Sequence, residues 1–97
     1  MIRERLVFQA KYGKASDLVT LIKEGDVILQ QVGMSPSQVL TDLTGEMFTV
    51  VWERQAVNLS EWEQTRQRAF AHPEFGPWFT RMQELVESGR REMYTIE

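Results

Sequence analysis

The apolar residues of this chain repeat with two different periods, and the order in which those periods alternate leaves few folds open. From Arg5 to Tyr12 the residues Leu6, Phe8, Ala10 and Tyr12 alternate with Arg5, Val7, Gln9 and Lys11, the period of two expected of a strand. Gly13 ends that run. From Lys14 to Val32 the apolar positions become Leu18, Leu21/Ile22, Gly25, Ile28/Leu29 and Val32, one stripe at the helical period. Gly33 suits the position just past the helix, and Pro36 keeps it from resuming. Gly25 inside the helix costs about 1 kcal/mol relative to alanine, so it marks either close packing or a local break.

Two further alternating runs follow. Gln38 to Thr44 sets Val39, Thr41 and Leu43 against Gln38, Leu40 and Asp42, and Met47 to Val57 sets Phe48, Val50 and Trp52 against Thr49, Val51 and Glu53. With Thr44-Gly45-Glu46 between them they predict a hairpin. Asn58 or Ser60 can cap the next helix, whose first turn carries Glu61 and Glu63 where they complement the dipole. That helix is expected to run to about Ala71, to bury Leu59, Trp62, Ala69 and Phe70, and to break at His72-Pro73. A second helix, with Pro77 at its first position, presents Trp78/Phe79, Met82 and Leu85/Val86 until Gly89. Arg91 to Glu97 alternates again and reads as a terminal strand.

The resulting order, βαββαβ with a split second helix, predicts the ferredoxin-like α+β fold: a four-stranded antiparallel sheet with its helices on one face. Ninety-seven residues suffice for one domain, 1–97. The uncovered face is expected to carry Arg5, Val7, Gln9, Leu40, Thr49, Val51, Glu53 and Met93, a mixed surface with several large apolar groups. A second copy packed sheet to sheet about a two-fold axis relieves that exposure, so a homodimer through the open face is expected, as in a dimeric α+β barrel. An alternative register turns the Trp52 row toward the lumen instead.

Composition narrows the function. The net charge of −3 gives no electrostatic reason to bind nucleic acid or an anionic membrane, and the absence of cysteine excludes thiolate chemistry and cysteine-based metal sites. The charged, short-cored N-terminus matches neither a signal peptide nor a membrane span, so the expected location is cytoplasmic. No metal site and no cofactor is indicated.

The stretch from Leu59 to Ser88 concentrates chemistry, with two of the three tryptophans, three of the five phenylalanines and the only histidine. His72 is the one side chain whose unperturbed pKa lies near neutral pH, which makes it the candidate general base or axial ligand. The alternative is a helix-end residue bonding backbone or water. Trp62, Phe70, Phe75, Trp78 and Phe79 can wall a flat apolar ligand or simply fill a core. On the hairpin strand, Trp52 and Arg54 share one face and Glu53 the other, so one charge points inward and needs a partner. Glu53 or Arg54 is then a polar anchor or half of an ion pair. Arg66, Arg68, Arg81, Arg90 and Arg91 read as solvated faces.

Two local pieces resemble known families. Leu59-Ser60-Glu61-Trp62-Glu63, followed by Ala71-His72-Pro73-Glu74-Phe75 and Phe79, is similar to the tryptophan-plus-histidine helix of the antibiotic-biosynthesis monooxygenase group and its haem-degrading relatives. Gly89-Arg90-Arg91-Glu92-Met93-Tyr94 resembles the last strand of NIPSNAP-type barrels. The resemblance implies a dimeric α+β barrel of NIPSNAP-like type; the element order and the mixed sheet face add the expectation of a small apolar or aromatic molecule bound between sheet and helices, with Trp52, Glu53, Arg54 and Phe75 as ligand contacts. The resemblance also implies an alternative, a cofactor-independent or haem-degrading monooxygenase using Trp62 and His72. The first strand offers Phe8 or Gln9 where the haem-degrading members carry asparagine. A third reading is a structural or regulatory module whose open face takes another protein.

Overall fold

The computed structural model describes residues 1–97 and orders the chain as β1 (Ile2–Ala10), α1 (Ala15–Gln31), β2 (Gln38–Thr41), β3 (Thr49–Ala56), α2 (Leu59–Ala71), α3 (Phe75–Leu85) and β4 (Val86–Thr95). All pairings are antiparallel, in the sheet order β2-β3-β1-β4, which is the ferredoxin-like arrangement that the alternation of periods predicts. The molecule measures 36 × 35 × 18 Å, a slab of one sheet and one helical layer.

Register assigns the faces. β1 and β3 pair Leu6 with Trp52 and Phe8 with Val50, and this row meets Leu18, Leu21, Ile22 and Leu29 of α1 in the core. The Trp52 row therefore faces the helices. Gly25 belongs to this contact, because a Cβ there would overlap the Trp78 indole. The glycine reflects close packing and not a break. Trp78 Nε1 donates to the Leu21 carbonyl at 2.7 Å, so the one polar atom of this buried ring is satisfied.

Several boundaries differ from expectation, each for a physical reason. β3 begins at Thr49 because Phe48 adopts φ +61°, outside strand geometry; its ring packs edge-on against Tyr12 at 4.7 Å. The Asp42 carboxylate accepts from the Thr49 N–H at 3.0 Å and closes the hairpin loop. α3 ends at Leu85 and not at Gly89, because Val86 already pairs with Ala10 in the sheet. Gly89 is instead a strand residue, where a Cβ would stand 2.9 Å from Phe8 Cδ1. Met93 pairs with Glu4 and so lies on the helix side, not on the open face. In α2 the buried residues are Thr65 and Ala69, while Leu59 and Phe70 are exposed. The other residues expected on the open face are there, with Leu40, Val51, Val7 and Arg90 forming one row across it.

Candidate ligand cavity

Between the sheet and the helices lies a cavity of about 490 Å³, lined by 16 residues of which 12 are apolar. That volume falls within the roughly 300–1,000 Å³ usual for small-molecule sites. The sheet contributes Leu6, Phe8 and Trp52, and the helices contribute Trp62, Phe70, Phe75, Trp78 and Phe79, so all three tryptophans of the chain border it. A second concavity, about 390 Å³, lies on the open sheet face near Gln9, Leu40 and Thr49, and most of its lining is polar. The first has what a flat apolar molecule needs, aromatic walls on both sides; the second does not.

Phe75 joins the helical wall together. Its ring meets Phe70 edge-on at 5.1 Å, stacks with Phe79 at 6.0 Å and tilts against Trp78 at 5.7 Å. Trp78 in turn meets Trp52 edge-on at 5.8 Å. Such pairs prefer these offset and edge geometries, each contributing about 0.5–1.5 kcal/mol beyond area burial. Trp62 projects from α2, a helix begun by the Asn58 side chain, which accepts from the Glu61 N–H at 2.8 Å.

Four charged residues complete the lining: Glu4, Arg54, Arg66 and Arg91. Glu4 continues the Leu6–Phe8 row one step toward the N-terminus, which buries it to 6% exposure directly across from Arg54 on β3. It accepts from Arg91 Nε at 3.1 Å. Arg54 is 7% exposed and lies over the Trp52 ring at 4.4 Å. Burial pulls its pKa down from the ordinary arginine value, and the charges of Glu4 and Asp26 oppose that pull. A guanidinium remains protonated under such a shift. Arg66 and Arg91 each stand 5.3 Å from the Trp62 ring centroid, so neither is simply a solvated charge.

The residues singled out in the sequence therefore separate. Trp52, Arg54, Trp62 and Phe75 line one cavity. Glu53 points to the open face, 3.4 Å from Arg5. Its neighbour on that face, Glu92, is held below the usual carboxylate range, chiefly by its hydrogen bond from Arg90 and next by that from Tyr94. His72 is not among the cavity residues. It terminates α2 in the extended conformation that a following proline favours; its Nδ1 accepts from the Glu74 N–H at 3.1 Å and its Nε2 lies 3.0 Å from Gln31 Oε1. Trp62 and His72 are thus not brought together on the cavity wall. With both ring nitrogens engaged elsewhere, His72 does not fit the axial position of a haem in this cavity. No three His, Cys, Asp or Glu side chains converge to hold a metal ion, and no helix is long and apolar enough to cross a membrane.

The sequence reading passed over Glu4 and Met34 and took Arg66 and Arg91 for solvated charges, whereas all four line the cavity. The signal for Glu4 was its phase with Leu6 and Phe8, a charge on the apolar row; for Arg91 it was alternation with Glu92, which becomes decisive only once the register to Leu6 is known.

No family model matches the sequence, and a search of curated proteins finds no relative. Solved structures do match. A NIPSNAP domain protein from Burkholderia xenovorans superposes over 100% of this chain and 95% of its own, with TM-score 0.86 and 17% identity. A NIPSNAP family protein of unknown function from Agrobacterium tumefaciens matches over 97% of this chain and 86% of its own, with TM-score 0.85 and 15% identity. SnoaB, a cofactor-independent oxygenase from Streptomyces nogalater, matches over 99% of this chain and 92% of its own, with TM-score 0.75 and 14% identity. The chain thus has the α+β fold shared by NIPSNAP-domain proteins and SnoaB.

Proposed function

We propose that this is a NIPSNAP-like α+β barrel protein of the cytoplasm, a homodimer joined through its open sheet face, that binds a small flat aromatic molecule between sheet and helices. The observation that carries the binding reading is the aromatic lining of the 490 Å³ cavity on both its sheet and helix sides. Because all three tryptophans line it, a bound chromophore quenches most of the protein's tryptophan emission. Titration with the neutral probe N-phenyl-1-naphthylamine is expected to give saturable quenching. Trp62→Ala is expected to weaken binding by about 1–2 kcal/mol, the scale of one aromatic contact and its burial. Linear, non-saturating quenching in folded protein would contradict the reading.

The dimer rests on the open face. Leu40, Val51 and Val7 form its apolar centre, and beside them Arg5 Nε is buried without a hydrogen bond. A second copy covers the apolar row and supplies acceptors at its charged edge. Light scattering is expected to give twice the 11.4 kDa chain mass for the natural protein, and the single-chain mass for Val51→Asp, which places a charge at the centre of the contact. A natural protein that runs as a monomer at micromolar concentration and captures another protein by this face would favour the interaction-module reading instead.

The likeness to SnoaB motivates a second reading, in which the bound aromatic is oxidised without a cofactor. On that reading oxygen uptake with an anthrone or quinol falls in Trp62→Ala, because Trp62 touches the substrate. His72→Ala retains full uptake, because the imidazole is engaged by Gln31 and Glu74 away from the cavity. No uptake with any such substrate leaves the binding reading alone.

A further inference from the structure

Arg54 is more than nine-tenths buried at the cavity wall, yet its hydrogen-bonding capacity is almost unused. Its one hydrogen bond runs from Nη1 to the thioether of Met34 at 2.9 Å, a weak acceptor. Nη2 has no hydrogen-bond partner: the nearest carboxylate oxygen, Asp26 Oδ1, is 3.7 Å away and is itself buried and unpartnered. Buried guanidinium donors are nearly always met by oxygen acceptors. The charge of the cavity points the same way. Three arginines line it against one carboxylate, Glu4, and that carboxylate is taken by Arg91; the carboxylates nearest Arg54 and Arg66, Asp26 and Glu63, each 3.7 Å away, are not among the lining residues.

We infer that the ligand of this cavity is an aromatic acid, whose rings lie against the tryptophan and phenylalanine walls and whose carboxylate is received by Arg54, with Arg91 and Arg66 in support. The inference rests on the proposed binding reading and gives the ligand its chemical class. A planar guanidinium offers two parallel donors to a carboxylate, so one anionic group supplies the oxygen acceptors that the Met34 thioether does not. A neutral aromatic of the same shape leaves those donors unmet.

The test compares anthracene-2-carboxylate with 2-(hydroxymethyl)anthracene, read by quenching of tryptophan emission in the full chain. The natural protein is expected to bind the acid about tenfold or more tightly over the carbinol, the difference one charge-assisted pair confers. Arg54→Met keeps the length and apolar stem of the side chain and is expected to abolish the preference while carbinol binding persists. Arg91→Gln, at a half-exposed position where the amide can still donate to Glu4, is expected to reduce acid binding by about threefold and secures the test should Arg54→Met fail to fold. Equal binding of acid and carbinol by the natural protein overturns this inference while the cavity reading stands. Retention of the preference in Arg54→Met overturns it as well. Binding of neither molecule overturns the cavity reading and this inference together.

Discussion

Trp78→Ala is expected to lower the unfolding free energy by about 3–5 kcal/mol, the usual cost of removing a large aromatic from a core. For a chain of this size that is a fall in thermal midpoint of roughly 15–30 °C, and it approaches the whole stability of a marginal domain. Trp78 is 8% exposed and links four neighbours: it packs on Trp52 and Phe75, donates to the Leu21 carbonyl, and fills the space Gly25 leaves open. The coupling to Gly25 gives the prediction a second arm. In the natural protein Gly25→Ala forces a methyl into the indole, an overpacking cost of about 1–3 kcal/mol that outweighs the ~1 kcal/mol gain in helix propensity. In the Trp78→Ala background the clash is gone, so the same substitution becomes stabilising. Urea denaturation of the four proteins of this cycle measures the reversal; Gly25→Ala stabilising in both backgrounds would show that the indole does not occupy the position described.

Glu4→Ala is expected to cost about 3–5 kcal/mol, because it leaves the buried Arg54 without its cross-strand counter-charge and frees Arg91 from its only acceptor. Asp26, 3.7 Å from Arg54 Nη2, is then the one carboxylate left to offset that charge. The penalty comes from the stranded cation and not from lost attraction as such. Replacing Arg54 as well by methionine removes the stranded cation and is therefore expected to recover part of the stability, the buried Asp26 losing its counter-charge in turn. The shift in urea midpoint at unchanged slope reads both effects. If the double replacement is as destabilised as Glu4→Ala alone, the cost comes from packing and not from the stranded charge.

The architecture was legible because local chemistry and global packing agree over most of the chain. Pro73 forces His72 into extended backbone, so the break between α2 and α3 could be placed to the residue. Gly25 announced either a close approach or a break, and local pattern could not show that Trp78, more than fifty residues later, is what approaches. The α3–β4 boundary was not legible, since Val86 suits either period and only its pairing with Ala10 decides. The same holds for Met93, whose side of the sheet depends on a register that contains an irregularity between Gln9 and Ala10. Of the cavity, the aromatic wall could be anticipated as one of two alternatives, and alternation required either Glu53 or Arg54 to point inward. That it is Arg54, and that Glu4, Met34 and Arg91 surround it, follows from long-range strand pairing that no local pattern encodes.

The location of the ligand is tested most directly by a crystal structure of the protein with anthracene-2-carboxylate. The ring system is expected between Trp52 and the Trp62–Phe75 wall, with the carboxylate oxygens within hydrogen-bond distance of Arg54 Nη1 and Nη2 and the Met34 contact displaced. Density for the ligand on the open sheet face, or a cavity filled by its own side chains with Arg54 turned onto Asp26, would contradict the account.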